Sequence, residues 1–424
     1  MALSPWHLAC VACGARHGGL EVRYRCDCGG TLDVVHDSTG KSFTIEDFDA
    51  RRASRDPLDR SGVWRFRELI APFPAGVVAT RREGDTGLYD SDPVAAFVGA
   101  RIQLKHEGEN PTGSFKDRGM TVGVSAARLL GMTRVACAST GNTSAAMAAY
   151  AAAAGLPALV FIPDGQISYG KLSQALAYGA RTVQIEGDFD AAMRLVEAVC
   201  AERGLYLLNS VNPWRIEGQK AIGFELLQDR GWCVPDWVVL PGGNLGNASA
   251  LAKGMVELLG LGLIDRLPKI AIVQAEGANP LYRAWMSGGE IAPVNAETLA
   301  TAIRIGDPVS GAKALRGLAK CGGTVTQVSD AEIFEAKAVV DAAGIGAEPA
   351  SCATVAGARR LVAEGVIAAE ADICGVLTGH ILKDPDSIVK YHTGTLPGIE
   401  PTRANRPVRC AADLKSVLRV LDGG

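Results

Sequence analysis

The first feature with chemical potential is a lysine that follows a run of turn-forming residues. Residues 110–119 read NPTGSFKDRG, and Lys116 lies just before a segment, 121–130, that is predicted to be helical. Asn, Pro and Gly punctuate the backbone, and Ser114 is predicted to cap the helix. The positive end of a helix disfavours an ammonium group and so favours the neutral amine that Schiff-base chemistry requires. The spacing alone also fits a solvated surface lysine.

Three more segments place polar or glycine-rich loops directly after predicted apolar strands. They read STGNTS at 139–144, PGGNLGN at 241–247 and LTGHILKDP at 377–385. Ligands of α/β proteins bind at the carboxyl ends of strands, and backbone N–H groups at a helix start suit a carboxylate or a phosphate. The glycine-rich loop lacks the Gly-Lys-Ser/Thr of a P-loop and the third glycine of a dinucleotide fingerprint. Each loop alone is also explained as an ordinary capped or glycine-rich turn.

Two close cysteine pairs crowd the N-terminal part of the chain. They are spaced as C-x2-C and C-x-C with twelve residues between the pairs, and two glycines follow. The four residues are Cys10, Cys13, Cys26 and Cys28. This arrangement is typical of a zinc ribbon, although a C-x-C pair strains tetrahedral geometry and His7 or His17 could replace a ligand. Reduced, metal-free cysteines in a small hairpin are the alternative.

The composition describes a folded protein without a nucleic-acid or membrane partner. The chain has 424 residues, of which 48% are hydrophobic and 21% charged, so it can form two or three domains around a large core. A net charge of −3 with both signs interspersed gives no electrostatic support for binding nucleic acid or an anionic membrane. No apolar run reaches the ~20 residues that span a bilayer, and the N-terminus lacks the features of a signal peptide. Eleven cysteines, an odd number, favour reduced thiols and a cytoplasmic location.

From Ile102 onward, strand and helix patterns alternate along the chain. Apolar strands are predicted at 134–138, 158–162, 182–185, 236–240, 270–273 and 373–377, and helices at 145–154 and 172–178. Such alternation predicts an α/β fold with parallel sheets that helices cover on both faces. Residues 37–100 are charged and punctuated by proline, and they are predicted to form an arm that packs on the core or on a partner subunit.

Residues 110–119 resemble the lysine motif of the threonine synthases, which are pyridoxal-phosphate (PLP) enzymes of the tryptophan-synthase-β fold, or fold type II. The resemblance spans residues 100–395 plus the cysteine module, and it takes in further segments at 209–220, 302–310 and 348–351. It implies a two-domain fold type II enzyme with mainly parallel sheets and a small N-terminal hairpin module that carries the four cysteines. The implied divisions are a zinc-ribbon-like module at 1–36, an arm at 37–100, a large PLP-binding domain at 101–126 and 216–395, a small domain at 127–215 and a C-terminal tail at 396–424.

By this resemblance Lys116 would carry PLP and later serve as the acid and base of the reaction. Asn142 would contact the ring oxygen of PLP, and Thr378 would hydrogen-bond its pyridine nitrogen. A neutral hydroxyl at that nitrogen need not keep the ring protonated, which moderates the electron sink. The loop that would hold the 5′-phosphate comprises Gly242, Gly243, Asn244, Leu245, Gly246 and Asn247.

The resemblance also implies the substrate, O-phospho-L-homoserine, which the family converts with water to L-threonine and phosphate. Arg215, Ser210 and Thr143 would bind the substrate phosphate, for which a guanidinium offers fixed donors. Ser139 and Thr140 would bind the substrate carboxylate. A homodimer that needs neither nucleic acid nor membrane is expected.

Two other interpretations stay open. Another fold type II β- or γ-replacement enzyme, such as an amino-acid dehydratase or a cysteate synthase, would use similar cofactor loops. Dehydratases usually show four consecutive glycines in the phosphate loop, which this chain lacks, whereas Ile381 departs from the small or polar residue common at its place in threonine synthases. A non-catalytic metal- or partner-binding protein on the same scaffold would not need Lys116, the two loops or Thr378.

Overall fold

The computed structural model of the chain describes residues 6–37, 43–163, 169–186 and 189–422. The strands are β1 (Trp6–Cys10), β2 (Arg16–Gly18), β3 (Leu32–His36), β4 (Leu88–Asp90), β5 (Ile102–His106), β6 (Val135–Ala138), β7 (Ala158–Pro163), β8 (Arg181–Ile185), β9 (Tyr206–Leu207), β10 (Trp237–Pro241), β11 (Lys269–Ala275), β12 (Thr324–Val328) and β13 (Ile373–Leu377). The α-helices are α1 (Ile45–Arg52), α2 (Arg67–Ile70), α3 (Asp92–Val98), α4 (Lys116–Leu129), α5 (Asn142–Ala153), α6 (Tyr169–Ala177), α7 (Phe189–Arg203), α8 (Pro213–Gly218), α9 (Ala221–Asp229), α10 (Gly246–Gly260), α11 (Pro280–Ser287), α12 (Gly311–Cys321), α13 (Asp330–Ala342), α14 (Pro349–Ala363), α15 (Pro385–Thr393) and α16 (Leu414–Leu421). Short 3-10 helices lie at Trp64–Phe66, Ala75–Val77, Glu107–Glu109, Thr301–Ile303 and Ile381–Lys383.

Within the described residues the strands form three sheets. A six-stranded sheet has the order β12-β11-β10-β13-β5-β4, and its strands are parallel except for β4, which runs antiparallel to β5. A four-stranded parallel sheet has the order β8-β7-β6-β9. The N-terminal strands form a separate antiparallel sheet, β2-β1-β3. The prediction of an α/β fold with mainly parallel sheets and a small N-terminal hairpin module is confirmed.

The central strands of the six-stranded sheet are buried because they are apolar on both faces. Every residue of β10 and β13 is buried, as expected for strands that helices cover on either side. Helix α14 packs closely over this sheet because Gly357 leaves room, since a Cβ there would lie only 2.2 Å from Val273 Cγ2. No helix among the described residues is long and apolar enough to cross a membrane.

The helix that carries the lysine begins earlier than the sequence suggested. It starts at Lys116 rather than at residue 121, and the preceding residue, Phe115, offers no capping side chain. The prediction that Ser114 caps this helix is wrong, because its buried hydroxyl has no hydrogen-bond partner. Asp117 ties the turn together instead, since its carboxylate accepts the Thr112 N–H at 2.7 Å and also the Thr112 hydroxyl.

The described part of the N-terminal arm packs on the core of its own chain. Trp64 Nε1 donates to Thr121 Oγ1 at 2.7 Å, and Ala79 N donates to Ser125 Oγ at 2.8 Å. Both acceptors lie on α4, so the arm covers the helix that begins at the lysine.

Candidate active site

Lys116 is the first residue of α4, and its amine lies in an interior setting. The side chain is half-buried, and its Nζ lies 3.9 Å from the centroid of the Phe115 ring. Burial, followed by the positive charge of Arg215, lowers the pKa of Lys116 to about 7, while the Glu348 carboxylate acts in the opposite sense. A large fraction of the amine is therefore neutral near pH 7, the form that acts as a nucleophile.

The loop that carries Lys116 is joined to the loop after β13. Phe115 N donates to Thr378 O at 3.0 Å. The Thr378 side chain is buried, and its Oγ1 lies 2.9 Å from Ser351 Oγ. The two loops meet because β5 and β13 are parallel neighbours whose carboxyl ends lie at the same edge of the sheet. The structure thus places a neutral hydroxyl pair beside the lysine loop.

The start of α5 connects the two charged residues that influence Lys116. Asn142 Nδ2 lies 3.2 Å from both carboxylate oxygens of Glu348. Thr143 Oγ1 accepts a hydrogen bond from Arg215 Nη2 at 3.1 Å. The predicted ring-oxygen contact and one predicted phosphate contact therefore lie side by side at one helix N-terminus, where backbone N–H groups favour anions.

Arg215 is a buried guanidinium without a carboxylate partner among the described residues. It lies on α8, whose start is capped by Asn212 Oδ1, and its side chain is 2% exposed. Besides the bond to Thr143, its Nη1 donates to Leu208 O at 3.2 Å, whereas its buried Nε has no partner. Burial lowers the pKa of Arg215 to about 10. A buried cation with open donors is a ready site for an anion such as a phosphate.

The glycine-rich loop leads from β10 into α10, and Gly242 within it has no room for a larger side chain. A Cβ on Gly242 would lie 2.5 Å from Ile272 Cγ2, and Leu245 adopts a left-handed conformation with φ of 62°. Asn247 is 6% exposed, yet neither its Oδ1 nor its Nδ2 has a hydrogen-bond partner. A buried amide left unsatisfied is costly, so these two atoms mark a place where a polar ligand fits.

The remaining predicted residues differ in whether their side chains already form hydrogen bonds within the protein. Asn244 uses its side chain within the protein, because Nδ2 donates to Ser210 Oγ at 3.0 Å and Oδ1 accepts from Val309 N at 3.1 Å. Ser139 and Thr140 are half-buried in the loop before α5. Asn244 therefore links the glycine-rich loop to Ser210, one of the predicted phosphate contacts.

Two participants were not identified as site residues from the sequence. Glu348 was noted only as part of a segment, yet its carboxylate contacts Asn142 and acts on the pKa of Lys116. Gln219 is buried and its Oε1 has no partner. The signal for Glu348 was a carboxylate directly before Pro349 at a helix start. Gln219, which belongs to the segment 209–220, lies between α8 and α9 and carries no local signal of its own.

Comparisons with known proteins agree with this geometry. The sequence profile of the family described as "Pyridoxal-phosphate dependent enzyme" matches residues 79–379. The chain is 48% identical to the threonine synthase of Methanosarcina acetivorans, over 91% of this chain and 94% of that protein. It is 41% identical to the threonine synthase of Methanocaldococcus jannaschii, over 97% of this chain and 98% of that protein. The chain belongs to the threonine synthase family.

Membership in the threonine synthase family makes this protein a PLP-dependent enzyme, and PLP is its cofactor. The structure of maize serine racemase superimposes with a TM-score of 0.60 over 80% of this chain and 94% of that chain, at 20% sequence identity. At that identity the likeness shows the fold alone, and the fold is the predicted fold type II. An aldehyde that bears a phosphate fits this site. The neutral form of the lysine can react with the aldehyde, and the unsatisfied amide of Asn247 and the N-terminus of α10 can bind the phosphate.

Proposed function

We propose that this protein is a threonine synthase, a lyase that converts O-phospho-L-homoserine and water into L-threonine and inorganic phosphate. The observation that supports this substrate most directly is Arg215, whose buried guanidinium has open donors and no carboxylate partner among the described residues. It lies close enough to Lys116 for its charge to lower the pKa of that amine. A substrate whose phosphate binds Arg215 would therefore present its amino-acid end near the lysine.

The proposal assigns the cofactor to the following residues. Lys116 would bind PLP covalently, Thr378 would face the pyridine nitrogen, and Asn142 would face the ring oxygen. The segment 242–247 would hold the 5′-phosphate with backbone N–H groups and with the free amide of Asn247. Because its side chain is engaged with Ser210, Asn244 would contribute through its backbone. When bound, PLP delocalises the electron pair that remains after a substrate C–H bond loses its proton.

The protein's own groups would position the substrate and move its protons. Arg215, Thr143 and Ser210 would hold the phosphate, while Ser139 and Thr140 would hold the carboxylate. As a neutral amine, Lys116 would accept the α-proton and shuttle protons along the substrate. Loss of a β-proton to Lys116 would supply the electron pair that expels phosphate as the γ-carbon–oxygen bond breaks. The γ-carbon would then gain a proton, the hydroxyl of water would bond to the β-carbon, and the α-carbon would regain its proton. The free phosphate, still held by Arg215, would accept the proton that this water loses.

The test is a product analysis with the purified enzyme. We expect O-phospho-L-homoserine to yield threonine and phosphate in equal amounts, whereas serine and threonine themselves should not be deaminated at a comparable rate. Release of ammonia and a 2-oxo acid from serine or threonine, without turnover of the phosphorylated substrate, would instead identify a dehydratase of the same fold. Preferential turnover of O-phosphoserine with sulphite would identify a cysteate synthase.

The proposal includes a homodimer that works in the cytoplasm on small molecules alone. The near-neutral net charge of −3 supports the absence of a nucleic-acid or membrane partner. The cysteines, odd in number and free in this structure, support a reducing compartment. Sedimentation or light scattering of the holoenzyme tests the dimer, and a monomer that is fully active would contradict it.

A further inference from the structure

The four N-terminal cysteines converge in space although they come from two separate turns. Their sulphur atoms all lie within 4.8 Å of one another, with Sγ–Sγ distances of 3.5 Å for Cys10–Cys28, 3.6 Å for Cys13–Cys26 and 3.5 Å for Cys13–Cys28. A tetrahedral zinc site with bonds of about 2.3 Å separates its sulphurs by about 3.8 Å. The C-x-C pair therefore reaches the same centre as the C-x2-C pair, despite its tighter spacing.

The surroundings of the thiols favour a set of four sulphur ligands. Gly30 is required beside them, because a Cβ there would lie 2.8 Å from Cys10 Sγ. His17 Nε2 lies 3.4 Å from Cys26 Sγ, in the position of a hydrogen-bond partner to a ligand. The other candidate, His7, instead pairs with Asp37 and with Arg16. Neither histidine needs to replace a cysteine.

The module that holds these thiols packs directly on α8, the helix that carries Arg215. The Trp6 ring, at the start of β1, lies edge-on to the Trp214 ring with 5.5 Å between centroids. Phe73 of the arm packs against both rings, at 5.4 Å from Trp6 and 4.9 Å from Trp214. Trp214 immediately precedes Arg215, so the module determines where this part of α8 lies.

A buried charge network joins the other side of the module to the same helix. His36, the last residue of β3, lies 2.9 Å from Glu217 Oε1. The Glu217 carboxylate also binds Lys253 of α10 at 2.7 Å and contacts Lys220. Because Glu217 lies two residues beyond Arg215 on a fully buried helix, β3 and α10 hold α8 between them.

A third contact reaches the segment that accepts a hydrogen bond from Arg215. The Tyr24 hydroxyl, which lies in the turn before Cys26, accepts the Leu207 N–H at 2.7 Å. The next residue, Leu208, provides the carbonyl to which Arg215 Nη1 donates. Both the strands and the turn of the module thus support the position of the guanidinium.

We propose that Cys10, Cys13, Cys26 and Cys28 bind one Zn²⁺ ion, and that the metal-loaded module holds α8 so that Arg215 is aligned for the substrate phosphate. The second half of this inference rests on the proposed function of Arg215. A module of short strands is too small to stay folded on its own core, and a structural zinc ion supplies that folding free energy. The six-residue helix α8 is far too short to be stable alone, so its order depends on what packs against it.

The first experiment uses the wild-type holoenzyme. Metal analysis should find about one zinc per chain, and a chelator followed by zinc should remove and restore it. On removal, we expect faster hydrogen exchange in residues 6–36 and 206–218, and a KM for O-phospho-L-homoserine that rises about 10- to 100-fold, the scale on which a misplaced group affects binding and rate. The PLP absorbance should stay unchanged, because the lysine loop and the loop 242–247 lie outside the module.

Variants separate the metal site from its effect on α8. Cys13→Ser and Cys28→Ser should lose zinc and raise KM, whereas Cys233→Ser, at an exposed cysteine outside the cluster, should do neither. Trp6→Ala should keep zinc and still raise KM, because it removes the contact to Trp214 rather than the metal.

A protein that takes up no zinc even when it is supplied would overturn the metal site. Zinc removal that leaves both the exchange of 206–218 and KM unchanged would overturn the coupling to α8. If the cysteine variants fail to fold, chelation and restoration of the wild-type enzyme still decide the question. If the enzyme does not turn over O-phospho-L-homoserine at all, the proposed function fails, while metal content and hydrogen exchange continue to test this inference.

Discussion

At the scale of single residues, the site depends on how burial changes ordinary side chains. Lys116 is an amine made partly neutral by its interior position and by a neighbouring cation, and Arg215 is a cation left without a carboxylate among the described residues. The two effects support each other, because the charge of Arg215 adds to the lowering of the lysine pKa. Lys116 thus provides a nucleophilic amine, and Arg215 provides a binding site for an anion.

Replacing Lys116 with alanine should abolish the covalent attachment of PLP and multiple turnover. The reason is that Lys116 is the residue proposed to bind PLP covalently, and its pKa of about 7 leaves much of its amine in the neutral, nucleophilic form. The visible absorbance of the purified protein and a steady-state assay measure the two effects. Lys415→Ala, at an exposed position near the C-terminus, serves as the control and should resemble the wild type. Normal turnover by the Lys116 variant would refute the assignment.

Loading of the apoenzyme with PLP should become faster as pH rises through about 7, the pKa of Lys116. The neutral amine is the reactive form, and its fraction grows above the pKa. Arg215→Ala should move the midpoint of this profile upward, because it removes a positive charge that disfavours the ammonium form. Arg215→Lys keeps the charge and should move it less. A midpoint near the ordinary lysine value in the wild-type protein would contradict this interpretation.

Arg215→Ala should also lower kcat/KM for O-phospho-L-homoserine. The expected loss of transition-state stabilisation is about 2–5 kcal/mol, the usual cost of removing one partner of a buried charge pair. The affinity for PLP should change far less, since the guanidinium serves the substrate phosphate. Steady-state kinetics and a PLP titration of the apoenzyme distinguish the two. Loss of PLP with unchanged kcat/KM would reverse the proposed division of labour.

Lys116 and Arg215 were assigned from the sequence through their resemblance to family motifs, because the local pattern of each also fits a surface residue, and their roles stay predictions. The sequence could not predict how Glu348 acts, because that carboxylate reaches Asn142 across 206 positions in the chain. Nor could it show that the Ser114 hydroxyl is buried without a partner, since a serine before a helix is ordinarily a cap. What the sequence misses here is set by long-range packing.

At the scale of elements, loops at the carboxyl ends of strands build the site. Their positions were predictable because apolar runs and turn residues are local features, and the observed β7, β11 and β13 include the predicted ranges. The start of α4 was misplaced because Asp117, inside the helix, ties the preceding turn by binding Thr112. Nor could the sequence show that the Asn244 side chain forms hydrogen bonds with Ser210 and Val309.

Asn247→Asp should weaken PLP binding by about 1–3 kcal/mol, or roughly 5- to 150-fold. The substitution keeps the size of the buried side chain but removes its donor and adds a negative charge where the cofactor phosphate is proposed to lie. A PLP titration of the apoenzyme gives the dissociation constant. Asn405→Asp, on an exposed part of the tail, is the matched control. Unchanged affinity in the Asn247 variant would place the phosphate elsewhere.

At the scale of the whole molecule, a buried ion cluster ties the arm to the core. Arg118 on α4 binds Glu107 at 2.6 Å and Glu225 of α9 at 2.7 Å, and all three side chains are fully buried. Glu225 also accepts the backbone N–H groups of Asp85 and Thr86 in the arm. The arm could be predicted from the sequence, but this ion cluster could not, because Arg118 and Glu225 lie 107 positions apart.

Arg118→Ala should lower the free energy of unfolding by about 3–5 kcal/mol, because it leaves Glu107 buried without its cation, whereas Glu225 keeps an ion pair with Lys105 at 2.7 Å. Chemical denaturation followed by circular dichroism measures the loss. Arg409→Ala, at an exposed arginine, should have little effect. If the Arg118 variant were as stable as the control, the cluster would not hold the arm to the core.

The left-handed Leu245 has a consequence for the thermodynamics of cofactor binding. A left-handed conformation costs a non-glycine residue roughly 1–2 kcal/mol, whereas burying a leucine side chain contributes about 1.5–3 kcal/mol, and Leu245 is 3% exposed. The buried side chain therefore keeps the loop preorganised before any phosphate arrives, and PLP binding needs to restrict few further conformations. A glycine at this position would permit the same φ but free the empty loop, so the entropy of ordering it would shift from folding to PLP binding.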